Sequence, residues 1–335
     1  MITIRDIARE AGVSVSTVSR VLSGKPDVSQ ATAVRVQAVI DHHAFEANRN
    51  ARFLKQADTS TILVVVKGRH NLLFASMVES VQAAITEAGL STAVSYIDED
   101  GDEVAHAERL VPELKPQGTI LLGVDAGHLM RSGKRVGVSL PTVLLTNVVR
   151  SSTHPLVSSV ATDDVASGAE AITYLVSRGH RDIGVVGGDP VTSAISANRL
   201  DGARRGLSDQ GLSLEDRWVA TRFSMSSGHE ATTALLSAHP ELTAIYAMSD
   251  IMALGALRAL HDLGLRAPGD VSVIGHDGVE LASYVVPSLV TLRQPQDQMA
   301  RRGVDILLAL IAGGEAVHEV LPVELVPGES VRDWR

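Results

Sequence analysis

Apolar residues along this chain follow two different periods, and the change falls near residue 60. Before it, Ile4, Ile7, Ala8 and Ala11 recur at i, i+3, i+4 and i+7, one face of a short helix ending at Gly12. Thr3 and Asp6 give that helix a start resembling a capping box. Ser14 caps a second helix, from Val15 to about Ser23, which Gly24 stops. At about 100° per residue, its Val18, Val21 and Leu22 gather on one face and Ser16 and Arg20 on the opposite one. A third helix, capped by Ser29 and carrying Val36, Val39 and Ile40, closes a three-helix head. The first two helices are separated by a short glycine-containing turn, which is helix-turn-helix spacing. Short polar side chains beside Arg20 would let the second helix enter a DNA major groove, where arginine donates two hydrogen bonds to a guanine edge. Periodicity alone leaves an ordinary helical hairpin with a solvated face equally open.

From residue 61 the pattern becomes continuous apolar runs alternating with helical stretches. TILVVV (61–66), STAVSY (91–96), TILLG (119–123), TVLLT (142–146), DIGVVGG (182–188), WVATR (218–222), TAIYAM (243–248) and VSVIG (271–275) read as strands. Helices are expected over 75–88, 165–178, 197–210, 228–238 and 251–263. Strands buried on both faces and separated by helices predict parallel sheets. This many units predicts two doubly wound lobes with a cleft between them. Ligands of such sheets bind beyond the carboxyl ends of the strands. The residues there are Asn71 and Phe74, Thr146 and Asn147, Arg199, Phe223, Ser249 and Asp250, Asp277 and Gln294. Charged groups and amides suit vicinal hydroxyls and phenyl rings suit C–H faces, a combination fitting a polyhydroxylated ligand. Two readings stay open for several of them: Arg199 and Asp277 as an interlobe salt bridge, the phenylalanines as packing, and Asp250 as a helix cap.

Composition narrows the classes. The 335 residues suit two or three domains, and 45% apolar content can fill their cores. With no cysteine there is no disulfide framework, thiol nucleophile or Cys-based zinc site. The charged N-terminal stretch is unlike a signal peptide, and no apolar run approaches the roughly 18 residues of a membrane span. A cytoplasmic protein is expected. The net charge is −9, yet residues 1–60 hold eight Lys/Arg against six Asp/Glu, so a slightly basic head precedes an acidic body. The twelve histidines show no i, i+4 pair, and the sequence lacks H-E-x-x-H, G-x-S-x-G and a Lys-Ser/Thr phosphate loop. No catalytic residue, metal ligand or cofactor is therefore assigned.

The stretch TIRDIAREAGVSVSTVSRVLSGKPDVS resembles the DNA-binding head of the LacI/GalR family of bacterial repressors. NRLDGARRGL, MSDIMALGALRAL, VSVIGHDG and PSLVTLRQP resemble that family's periplasmic-binding-protein-like core. The resemblance implies an all-α helix-turn-helix head over 1–47, a hinge helix and linker over 48–60, and an α/β core over 61–335. That core would comprise two doubly wound parallel-sheet lobes, about 61–160 with 290–320 and about 161–289 with 321–335, crossed near 160, 289 and 321. It implies base contacts from Val15, Ser16 and Arg20, with Thr17 and Ser19 nearer the phosphates, although Val15 also reads as packing against Leu22. In the hinge, Asn48, Ala51 and Arg52 fit the family pattern, and Leu54 matches a leucine wedged into the minor groove. The segment AFEAN (44–48) departs from the family's Gly-Tyr and x-Pro-Asn, and His43 replaces an apolar residue and reads as partly buried. In the core, Arg199 and Asp277 match recurrent effector-binding residues, while Phe74, Thr146, Phe223, Ser249 and Gln294 match variable pocket positions. The expected function is a homodimeric repressor of a pseudo-palindromic operator, switched by a small molecule, with Arg199 on one lobe facing Asp277 and its neighbours. A sugar or sugar phosphate is the expected effector. A purine-like co-repressor, a protein co-regulator, a sugar-binding module without DNA function and a sugar-modifying enzyme are the alternatives.

Overall fold

The computed structural model describes residues 4–22, 28–43, 61–68, 71–124, 139–147 and 154–334. The chain divides into two compact units, Met1–Ser60 and Thr61–Arg335. The hinge residues Asn48, Ala51, Arg52 and Leu54, and the capping Thr3, lie outside the described residues.

In the first unit, helices α1 (Ile4–Glu10), α2 (Val15–Leu22) and α3 (Gln30–His42) surround a small core of Ile7, Ala8, Ala11, Val18, Val36 and Ile40. The turn between α1 and α2 passes through Gly12 at φ +63°, a conformation that a side chain would strain. Ser14 Oγ accepts the Thr17 N–H at 3.1 Å and Ser29 Oγ the Thr32 N–H at 3.3 Å, so both expected caps form. His43 is half-buried, with Nε2 2.7 Å from Glu10 Oε2.

The second unit contains two six-stranded sheets. The first lobe orders its strands β11-β5-β4-β3-β1-β2, using β1 (Thr61–Lys67), β2 (Ser91–Ile97), β3 (Gly118–Leu122), β4 (Thr142–Leu145), β5 (Val157–Thr162) and β11 (His318–Leu321). All its pairings are parallel. The second lobe orders β12-β10-β9-β8-β6-β7, from β6 (Ile183–Gly187), β7 (Trp218–Ala220), β8 (Ala244–Ala247), β9 (Ser272–Asp277), β10 (Val290–Arg293) and β12 (Glu324–Val326). Only β12 runs antiparallel among these, against β10.

Burial on both faces explains the continuous apolar runs. Along β1, Ile62, Val64 and Val66 pack with α4 (Leu72–Glu87) and α10 (Gln296–Ile311), whereas Leu63 and Val65 pack with α5 (Glu103–Leu114). In the second lobe, α6 (Asp164–Ser177) and α7 (Ala194–Ser208) cover one face of the sheet. Helices α8 (Met225–Ala238) and α9 (Asp250–Asp262) cover the other.

The crossings between lobes shift from their expected places. Strand β5 continues to Thr162, moving the first crossing from 160 to 163. The second moves from 289 to 294–295, because Val290–Arg293 pairs with Ile274–Asp277 inside the second lobe before α10 joins the first. The third lies at 322–323, between β11 and β12. All three leave from strands at the same edge of the two sheets.

Candidate functional site

A cavity of about 550 Å³ opens at the carboxyl ends of the strands, with walls from both sheets. From the first lobe come Lys67 after β1, Asn71 and Phe74 at the start of α4, Glu99 and Asp100 after β2, and Thr146 and Asn147 after β4. From the second come Asp189 after β6, Ser193 capping α7 and Arg199 on it, Arg222 and Phe223 after β7, and Asp277 closing β9.

Asn71 Oδ1 accepts the Leu73 N–H at 3.0 Å, which caps α4 and turns Phe74 into the wall. The two phenylalanine rings are seated by missing side chains. A Cβ on Gly123 would lie 2.8 Å from the Phe74 ring, and one on Gly188 would lie 2.5 Å from the Phe223 ring. Both glycines follow strands, one in each lobe, so each lobe presents one phenyl ring to the cavity.

Arg199 is 4% exposed and ion-paired through Nε and Nη1. Nε donates to Asp164 Oδ1 at 2.8 Å, Nη1 to the Met248 carbonyl, and Nη1 also reaches Asp277 Oδ1 at 3.5 Å. Gln294 Nε2 donates to the same Asp277 oxygen at 2.8 Å. Burial opposes the charge on Arg199, but Asp164 and Asp277 outweigh it and hold the guanidinium protonated. Burial pushes Asp277 up to about 6 against the pull of Arg199. It also raises Asp164, again opposed by Arg199.

Two residues of the wall carry backbone conformations that side chains rarely adopt. Thr146 sits at φ +76° and Asp277 at φ +113°, each costing on the order of 1–3 kcal/mol. Thr146 is β-branched, and its buried hydroxyl has no hydrogen-bond partner among the described residues. Strain and an unsatisfied polar atom coincide at one residue of the cavity.

The structure therefore brings Phe74, Thr146, Arg199, Phe223 and Asp277 to one cavity, with Asn71 and Asn147. It does not bring Ser249, Asp250 or Gln294 into its lining. Ser249 caps α9 by accepting the Met252 N–H at 3.3 Å, so Asp250 is not the cap. Asp250 is instead buried behind β9, accepting from Thr291 Oγ1 at 2.5 Å and the Val279 N–H at 2.8 Å. Its carboxyl is pushed up to about 8, by burial and then by the charge of Asp277. Gln294 stands behind Asp277 and orients it. The expectation that Arg199 and Asp277 face each other from different lobes is overturned. Helix α7 and strand β9 both belong to the second lobe, so their ion pair lies within it.

Sequence reasoning missed Asp164, the nearest ion partner of Arg199. It also missed Lys67, Glu99, Asp100, Asp189 and Arg222 in the cavity wall. In the head, Val15 is 41% exposed, Ser16 and Arg20 are exposed, and Thr17 is half-buried, all on α2. Val15 therefore lies largely open. Ser19 shares that helix.

Among the described residues no helix is long and apolar enough to cross a membrane. Residues 3–48 match the bacterial regulatory proteins of the lacI family, and residues 172–331 match the periplasmic binding protein-like domain. The chain is 35% identical over 331 residues to the HTH-type transcriptional regulator MalR of Clostridium butyricum, covering 98% of each chain. Among solved structures, the transcriptional regulator CelR–cellobiose complex superposes with TM-score 0.72 at 29% identity, covering 98% of this chain and 100% of the other. The lac repressor dimer bound to operator and the anti-inducer ONPF superposes with TM-score 0.80 at 27% identity, covering 99% of both chains. Head, two-lobed core and full-length similarity agree: the chain belongs to the lacI family of bacterial regulatory proteins and is a transcriptional regulator.

Proposed function

We propose that the chain is a cytoplasmic, homodimeric repressor whose interlobe cavity takes a sugar and whose operator affinity changes when that sugar binds. The observation that carries this reading is the cavity wall itself. A buried, rigidly paired Arg199–Asp277 unit stands in the second lobe, and phenyl rings face the same space from both lobes. Such a wall offers hydrogen bonds to vicinal hydroxyls and apolar faces to sugar C–H groups. The CelR structure with cellobiose, similar over the whole chain, supports this ligand class. Asp164 and Asp277 are committed to Arg199, which favours a binding site over an acid–base pair and a regulator without catalysis.

In this reading α2 enters the major groove, Arg20 and Ser16 read base edges with Val15 beside them, and Thr17 and Ser19 contact phosphates. Asn48, Ala51, Arg52 and Leu54 complete the operator contacts. A two-fold dimer matches a two-fold operator. The sugar switches the protein only if it binds the two lobe arrangements with different affinity.

The test is a thermal-shift screen of the full chain with cellobiose, other mono- and disaccharides, sugar phosphates and nucleobases, followed by operator binding with each hit. A ligand at one hundred times its dissociation constant stabilises by about 2.7 kcal/mol, and a sugar hit that also shifts operator affinity is expected. A nucleobase as the sole hit would replace the sugar reading with co-repression by a purine. Arg20→Ala is expected to weaken operator binding by about 1–3 kcal/mol and relax one base position. Uniform weakening across operator variants would reassign Arg20 to the backbone.

A further inference from the structure

Across the mouth of the cavity one ion-paired cluster joins the lobes directly. Arg222, just beyond β7 of the second lobe, donates from Nε to Glu99 Oε2 at 3.2 Å and from Nη2 to Asp100 Oδ2 at 3.0 Å. Glu99 and Asp100 follow β2 of the first lobe. The guanidinium thus holds two carboxylates of the opposite lobe with separate nitrogens.

Its position gives the cluster leverage. All three chain crossings leave from β5, β10 and β11, at one edge of the two sheets. Strands β2 and β7 terminate the opposite edges. A rotation of one lobe on the other about the crossings displaces the β2 and β7 ends furthest, so contacts there break first as the cleft opens. The ion pairs of Arg199 and of Lys67 with Glu103 join residues of the same lobe and are indifferent to such a rotation.

We propose that Arg222, with Glu99 and Asp100, is a clasp: a positioning residue that sets the fraction of molecules in which the cleft is closed. Arg222 is 60% exposed, Glu99 32% and Asp100 86%. Exposed pairs of this kind add little to folding stability and weaken in salt. A small energy nevertheless shifts a two-state opening equilibrium appreciably when the contact exists in only one of the states. The clasp rests on the effector-cleft reading for its purpose, since a closed fraction matters because it sets the fraction of binding-competent molecules. It does not rest on that reading for its test.

The chain has no cysteine, so two can be introduced for labelling without removing any. Tyr96 on β2 and Met225 at the start of α8 are exposed and lie in different lobes near the clasp. Spin labels on Tyr96→Cys and Met225→Cys, in the full chain without ligand, report the opening by pulsed electron resonance distances. The expected result is a dominant short distance at low ionic strength. The long-distance fraction should rise about two- to fivefold in high salt, or at low salt in Arg222→Gln. Exchanging the charges, with Arg222→Glu, Glu99→Arg and Asp100→Asn together, should restore the short distance; a residue serving only as cleft wall would not be rescued in this way. Identical distance distributions in the parent and Arg222→Gln at both ionic strengths would overturn the clasp. A failure of the sugar reading would leave these distances unchanged, so the two proposals fall separately.

Discussion

The two lobes bring different kinds of surface to the same cavity. The second lobe presents a network already complete without ligand: Asp164, Arg199, Asp277 and Gln294 satisfy one another and are almost fully buried. The first lobe presents Phe74, Thr146 and Asn147. One side is therefore a pre-organised anchor, whose groups are held in place by one another. The other holds, at Thr146, a buried hydroxyl with no partner among the described residues. Groups already fixed by one another need little reordering to bind a ligand. In the proposed function, switching requires a sugar to bind two lobe arrangements with different affinity, and an anchor in one lobe facing a less committed wall in the other is a place for that difference to arise.

The largest effect should come from breaking the anchor. Arg199→Ala leaves two carboxylates buried without their cation, and removing one partner of a buried ion pair typically costs about 3–5 kcal/mol. Denaturant unfolding of the variant should show that loss together with loss of the ligand-induced thermal shift. Arg199→Lys should recover little, because a single ammonium cannot reproduce separate bonds to Asp164, Asp277 and the Met248 carbonyl. A stable Arg199→Ala protein with unchanged ligand response would show that the network is ornamental.

A smaller effect resides in Asp250, behind the anchor. In the unfolded chain this carboxyl ionises at its ordinary 3.8, whereas in the folded chain it holds its proton to about 8. Between those values the folded state binds more protons, so stability falls as pH rises and levels off above about 8. Asp277, pushed up to about 6, adds a fall of the same sign that ends near that value. Asp250→Asn should remove the Asp250 share of the slope, at most about 1.4 kcal/mol per pH unit, all the way from about pH 4 to 8, and leave below pH 6 the fall that belongs to Asp277. His106, His180, His276 and His318, held below the usual imidazole range by burial, add a rise of opposite sign. Unfolding midpoints of parent and Asp250→Asn from pH 4 to 8 therefore decide this by their difference; a difference that does not change with pH over 6–8 would contradict the protonated Asp250.

What the chain revealed in advance, and what it hid, follows the same physical division. Strands buried on both faces announce themselves as apolar runs, and β1, β3, β4, β6, β8 and β9 are legible for that reason. Strand β5 escaped because Ser158 and Ser159 stand in the middle of it. Their hydroxyls are satisfied by the Val317 N–H at 2.9 Å and by His318 at 2.9 Å, contacts that no local pattern encodes. Strands β11 and β12 are half-exposed edges, and Pro112 obscured α5. In the site, Phe74, Thr146, Phe223 and Asp277 could be found because strand ends locate them. Asp164 could not, since it reaches Arg199 only through the close approach of α6 and α7. That approach depends on glycines: a Cβ on Gly168 would lie 2.4 Å from the Arg199 carbonyl, and one on Gly202 would lie 2.2 Å from that of Val165. A run of small residues on two helices hints at contact, but their pairing is a property of the fold. Glu99, Asp100 and Arg222 were hidden likewise, because their partners lie more than a hundred residues away in another lobe.

The smallest expected effect tests the asymmetry most directly. Thr146→Val replaces the buried unpartnered hydroxyl with a methyl group of similar shape and retains the branched side chain at φ +76°. Strain is therefore held nearly constant while the polar atom alone is removed. Leaving a buried hydroxyl unsatisfied costs about 1–3 kcal/mol, and the expected gain is taken at the low end of that range. The variant should unfold about 1 kcal/mol later than the parent in urea, yet bind cellobiose, or whichever sugar the screen identifies, more weakly. A side chain kept only for packing would respond otherwise: Val would stabilise the protein and leave affinity unchanged. Greater stability with poorer binding is the signature of a polar group held unsatisfied until the ligand arrives, and it would assign the first lobe its part in the switch.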